Sequence, residues 1–149
     1  MSRRLITSAV AGVVVVGGAG AFALAYAGEQ PPALSHSTAH YTAPAGDRDG
    51  SLTFTTEVKA SSGVKSVKVL AWPASSSLAK RGLTVKEMAH AEPASCAPSG
   101  HDTVRCTYKV AVTQAEADGS PRGRWHVAVL ATGKDGDATL KTKAADFTA

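Results

Sequence analysis

Apolar and polar residues alternate along most of the chain beyond about residue 38. In "SLTFTTEVKA" (51–60), Leu52, Phe54, Thr56 and Val58 share one face, while Thr53, Thr55, Glu57 and Lys59 share the other. "VKSVKVLAWP" (64–73) sets Val67, Val69 and Ala71 against Lys68, and Pro73 ends the run because it has no N–H for a ladder. "TVRCTYKVAV" (103–112) alternates most clearly, with Val104, Cys106, Tyr108, Val110 and Val112 opposite Thr103, Arg105, Thr107 and Lys109. "RWHVAVLAT" (124–132) turns Trp125, Val127, Val129 and Ala131 inward and leaves His126 for solvent or a sheet edge. A period of two is the pattern of strands with one buried face.

Turn-forming clusters separate these runs: "GDRDG" (46–50), "SSG" (61–63) and "GKDGD" (133–137). A short first strand around Tyr41, a hairpin over 95–106 and a last strand ending near Phe147 complete the set. The pattern predicts an all-β fold, an antiparallel Ig-like β-sandwich of about seven strands. "TQAEADGSPRG" (113–123) reads as a long polar loop. The segment 75–93 breaks the alternation. Thr84-Val85-Lys86-Glu87 matches a capping box, and "SSSLAKRGL" before it suits another helical turn. One or two short helical turns therefore lie between strands three and four, with Leu78, Leu83 and Met88 covering a sheet edge or the rim near Trp72.

The first residues have a different pattern. Arg3 and Arg4 precede an apolar run from Leu5 to about Ala25, and Ala25-Tyr26-Ala27 fits a small-x-small cleavage site. Residues 1–27 therefore read as a secretory signal peptide, and the mature protein as secreted and free of the membrane. The alternative is a retained anchor, since about 20 apolar residues can span a bilayer; the protein would then stay at the cell surface. "SRRLI" partly matches a twin-arginine signal, so the export route stays open. Residues 28–37 ("GEQPPALSHS") read as a disordered spacer, and 38–149 as the folded domain.

Export changes the meaning of the two cysteines. Outside the cell a pair of cysteines points to a disulfide. In "SCAPSGHDTVRC" (95–106) both lie the same distance from His101, so a hairpin centred there brings Cys96 and Cys106 face to face. The bridge would fix a tip of Ser99, Gly100, His101, Asp102 and Thr103, a candidate interaction loop, with the turns at 60–64 and 133–137 at the same end.

Composition removes several function classes. Arg3 and Arg4 account for two of the 16 Lys and Arg, which leaves 14 against 12 Asp and Glu in the mature chain. These charges are scattered, whereas nucleic-acid binding calls for a clustered basic face. The chain contains no Asn, so it has no N-glycosylation acceptor. A zinc site would need the thiolates that the disulfide consumes, and His36 and His40 fall in or beside the spacer. "DRDG" (47–50) and "KDGD" (134–137) carry carboxylates, but they belong to loops at opposite ends of a sandwich and cannot share a calcium ion. No nucleophile motif or phosphate loop is present. Of the aromatics, only Tyr41 and Trp72 are placed where they could face a sugar. The expectation is a monomeric, non-catalytic protein without catalytic, cofactor or metal residues.

Two stretches resemble immunoglobulin-like domains of bacterial extracellular proteins: "SGVKSVKVLAW" (62–72), their third strand, and "GRWHVAVLATGKDGD" (123–137), their last hairpin. From about Thr38 to Phe147 the chain also resembles a family of small secreted actinomycete proteins of unknown function, through "DGSLTF", "SGVKSVKVLAWP", "DTVRCTY" and "KAADFT". That resemblance implies a fold and a location but no activity. The function expected is an extracellular protein-interaction module whose partner is another extracellular protein or a cell-wall component. The competing reading is a secreted protease inhibitor that presents 113–123 or 97–105 as a rigid loop.

Overall fold

In the computed structural model, which describes residues 30–149, the alternating segments become β1 (Ala33–Thr42), β2 (Gly50–Lys59), β3 (Val64–Pro73), β4 (Glu92–Pro93), β5 (Ser95–Gly100), β6 (Thr103–Val112), β7 (Arg124–Gly133) and β8 (Ala138–Thr148). Three short helices join them: α1 (Leu78–Arg81), α2 (Val85–Met88) and α3 (Gln114–Asp118). The strands form two antiparallel four-stranded sheets, ordered β1-β2-β6-β5 and β4-β3-β7-β8. The proposed signal and its cleavage site lie outside the described residues.

The inward faces meet as read from the sequence. Phe54, Val58 and Cys106 from the first sheet pack against Val67, Val69, Val127, Val129 and Ala131 from the second. Thr56, the polar member of this layer, is 1% exposed and finds partners in the Ser37 hydroxyl at 2.8 Å and the Ser35 carbonyl at 3.2 Å. Such pairing offsets the cost of burying a hydroxyl.

The second sheet is covered on both faces. Leu70, Trp72, Ala128 and Leu130, on its far side, pack under Leu78, Leu83 and Met88 from the helical segment. Full burial of each of those large side chains is worth roughly 1.5–3 kcal/mol. This second layer explains why "VAVL" in β7 reads as a nearly continuous apolar run. The capping box forms as predicted: the Glu87 amide donates to Thr84 Oγ1 at 3.2 Å, and the Thr84 amide to Glu87 Oε2 at 2.9 Å.

Chain connections close both sides of the sandwich. Around Ala94, whose amide donates to the Val67 carbonyl at 2.9 Å, the chain leaves the second sheet as β4 and enters the first as β5. On the other side β1 meets β8, where the Thr139 hydroxyl donates to the Pro32 carbonyl at 2.5 Å.

The spacer assignment needs correction, because residues 33–37 belong to β1. A bulge between Ser35 and Thr38, with His36 at φ 51°, switches the inward positions from Leu34 to Ser37 and Ala39. That switch breaks the period of two and hides the strand. The seven expected strands become eight through the two-residue β4.

Candidate functional site

The disulfide joins Cys96 to Cys106, which are direct register partners with Cα atoms 4.0 Å apart. Cys106 is fully buried in the core, whereas Cys96 stands on the exposed edge strand β5. The bridge thus ties an otherwise exposed strand to the interior. Beyond it Pro98 opposes Val104, a bulge follows, and Gly100 opposes Thr103.

His101 and Asp102 make the turn. Asp102 adopts φ 54°, a left-handed conformation that Asp tolerates better than most residues. Its Oδ2 is 3.1 Å from Nε2 of His101, whose side chain is 96% exposed. The Thr103 hydroxyl donates to the His101 carbonyl at 3.0 Å. The tip is also held from outside the hairpin, since the Ala60 amide donates to the Asp102 carbonyl at 2.9 Å. The Gly63 carbonyl in turn accepts from the Lys134 amide at 2.9 Å. Three turns, at 60–63, 101–102 and 134–137, are therefore linked at one end of the sandwich. Ser99, Gly100, His101 and Asp102 are exposed there and Thr103 is half-buried.

Behind the tip, the outer face of the first sheet carries an ionic cluster. Arg105 Nη2 lies 2.9 Å from Glu57 Oε1, and His36 Nδ1 lies 3.0 Å from Glu57 Oε2. The Arg105 hydrogen bond, followed by that of His36, holds the Glu57 carboxyl below its ordinary value. The cluster is solvent-exposed, and its contribution to stability is small. This end therefore offers charges of both signs and free hydrogen-bonding groups on a fixed backbone. Among the described residues no group of three or more His, Cys, Asp or Glu is placed to hold a metal ion. The loop between β1 and β2 lies at the opposite end from the β7–β8 turn, as the register of Thr42 with Ser51 and of Val64 with Gly133 requires.

A second polar region lies where β4 passes β6. The Tyr108 hydroxyl donates to Glu92 Oε2 at 2.7 Å, in an open groove that His90, Ser95 and Lys109 also line. Burial, then the hydrogen bond to Glu92 and its charge, push the Tyr108 phenol well above its ordinary value.

Three expectations change, two about single residues and one about a segment. His126 does not face solvent: it is 8% exposed, because the tilted ring of Trp72 lies against it and Asp146 bonds it. Trp72 is buried, with its indole N–H donating to the Thr142 carbonyl at 2.9 Å, so it cannot serve as a sugar platform. The segment 113–123 contains α3 rather than an open loop. Thr113 and Glu116 form a second capping box, a T-x-x-E signal of the same kind as the one at 84–87.

Fold and crosslink together define a disulfide-clamped, all-β sandwich with an ordered hairpin tip. Residues 34–131 match the model of a family of unknown function, DUF5707, and the chain belongs to that family. The matched span runs from Leu34 in β1 to Ala131 in β7 and includes the whole disulfide hairpin. No curated protein and no solved structure matches the chain.

Proposed function

We propose that the chain is exported, is cleaved after Ala27, and acts outside the cell as a non-catalytic Ig-like interaction module. Its partner is an extracellular protein or a cell-wall component that it engages through the tip at Ser99–Thr103. The strand order supports the Ig-like reading. β1-β2-β6-β5 corresponds to the four-stranded sheet of a constant-type immunoglobulin domain, and β3-β7-β8 to its three-stranded partner, with β4 added.

The observation that carries the interaction reading is the two-sided fixation of an exposed tip. A disulfide holds it to the core, and the Ala60–Asp102 hydrogen bond holds it to the neighbouring turn. A loop ordered before binding loses less entropy on binding. The protease-inhibitor reading gains less support, because α3 takes up Gln114–Asp118 of the segment 113–123 and a two-residue turn closes 97–105. The exposed residues of 97–100 are extended, but they are paired with β6 as part of a strand rather than presented as a free loop.

The test is capture from cell-wall and culture fractions with residues 28–149, as wild type and as His101→Ala/Asp102→Asn, since Asn keeps the left-handed turn. The variant is expected to lose at least about ten-fold in partner recovery at an unchanged melting temperature. Equal recovery by both proteins overturns the assignment to the tip. For export, the culture fluid is expected to contain a mature chain beginning at Gly28. Full-length chain confined to membranes overturns cleavage.

A further inference from the structure

The two ends of the sandwich are packed differently. Toward the tip end Leu34, Val58, Val67 and Ala131 are buried, with half-buried Val64 and Val104 beside them. At the other end Tyr41, Val110, Val112 and Phe147 also point between the sheets, yet each is only half-buried. They surround a cleft of about 110 Å³. α3 lies over it but reaches in with Ala117 alone, and α3 has no buried residue. The segment above the cleft is nevertheless well fixed: the capping box orders its start, and the Trp125 indole N–H donates to the Pro121 carbonyl at 3.0 Å. The fold thus holds an ordered cover over an apolar space that it leaves unfilled.

Three aromatic rings of the lining are aligned with one another. Tyr41 stacks on Phe147 with centroids 5.6 Å apart and planes 25° from parallel, and Trp125 on Phe147 at 5.9 Å and 20°. The polar side chains at the cleft are Ser120 and Arg122, both on the segment that follows α3.

We propose that this cleft binds a small, uncharged, single-ring aromatic molecule. At about 110 Å³ the cleft is smaller than the roughly 150 Å³ apolar cavity that encloses benzene, so it limits the occupant to a single ring held partly at its open side. It is too small for a strand or helix of another chain. Three aromatic rings in the lining favour a flat π-system, which gains from offset or edge-to-face pairing beyond its burial. The lining is mostly apolar, and its charged side chain, Arg122, is exposed to water, which favours an uncharged ligand. The site lies at the opposite end from the tip and does not depend on the reading given there.

The experiment is an amide and methyl NMR titration of residues 28–149 with toluene, cyclohexane and N-acetyl-phenylalaninamide. Toluene should shift Val110, Val112, Ala117 and the Trp125 indole N–H saturably and leave the tip unmoved. Its affinity should exceed that of cyclohexane roughly three- to ten-fold, the margin that aromatic pairing supplies. Ala117→Leu fills the cleft and is expected to abolish these shifts without lowering the melting temperature. Val110→Phe fills it from a strand and serves if the first variant does not fold. Absence of saturable shifts, equal affinity for cyclohexane, or undiminished binding in the filled variants overturns the site. Tighter binding of N-acetyl-phenylalaninamide than of toluene overturns the small-molecule assignment, since the occupant would then be a protein side chain.

Discussion

The imidazole of His126 lies against the indole of Trp72, with ring centroids 4.7 Å apart, and its Nδ1 is 2.6 Å from Asp146 Oδ1. The three residues are register partners in one row across β3, β7 and β8. His126→Ala removes the ring contact and leaves a hole beside Trp72. It is expected to cost on the order of 2 kcal/mol, measured by urea unfolding. Asp146→Ala should cost less, because the Asp146 side chain is 49% exposed and water can replace it.

Removing the crosslink loosens the unfolded chain. The bridged cysteines are 10 residues apart, and chain entropy gives a loop of that size roughly 2.7 kcal/mol. Cys96→Ala/Cys106→Ala should lower the unfolding free energy by about that amount. Partner recovery should fall further than the folded fraction does, because the tip also loses its preset shape.

The two capping boxes should differ in reach. α2 carries fully buried Met88, so Thr84→Ala is expected to cost about 1 kcal/mol of global stability. α3 buries nothing, so Thr113→Ala should cost under about 0.5 kcal/mol. Its effect should appear as faster hydrogen exchange confined to 114–118. Acid gives a second readout at α2. Burial alone would raise the Glu87 carboxyl, but hydrogen bonds from Arg81 and Thr84 outweigh it and hold it below 4.5. The associated stability is present above that ordinary value and is lost as pH falls through the lowered one. Glu87→Gln should flatten the acid limb of a stability–pH curve.

Tyr108 gives the complementary alkaline effect. Its phenol is raised above the ordinary 10.0 by burial and by Glu92. The neutral form is therefore the one that suits the fold. Its contribution is complete below pH 10.0 and is lost as pH rises toward the raised value. Stability should fall in that alkaline range, less steeply in Tyr108→Phe. Phenolate absorbance from Tyr108 should appear together with unfolding.

Much of this architecture was legible because two signals are local. Alternation in 51–60 and 103–112 placed Phe54 and Cys106 inward, and equal distance from His101 placed Cys96 opposite Cys106. The capping box at Thr84 was legible for the same reason. Non-local features were hidden. His126 is covered by Trp72, far earlier in the chain, and alternation in β7 says nothing about it. In β1 the bulge at Ser35–Thr38 shifts the inward parity midway, so neither half shows a full pattern. The cleft beneath α3 results from what the layers leave unfilled, and no single segment encodes it. The box at Thr113 was legible in principle, but turn-forming Gly119, Ser120 and Pro121 follow it closely.

The outer borders of the two sheets bear on how the protein behaves when concentrated. β4 is two residues long, β5 carries Pro98 and is bridged to β6, and β1 has its bulge at Ser35–Thr38. A further irregularity interrupts the pairing of β8 with β7. No border among the described residues offers a long, flat row of free amides and carbonyls. A second copy, or a stray unfolded chain, finds little template on which to add a strand. The bulge that obscured β1 in the sequence thus also makes the fold a poor seed for aggregation.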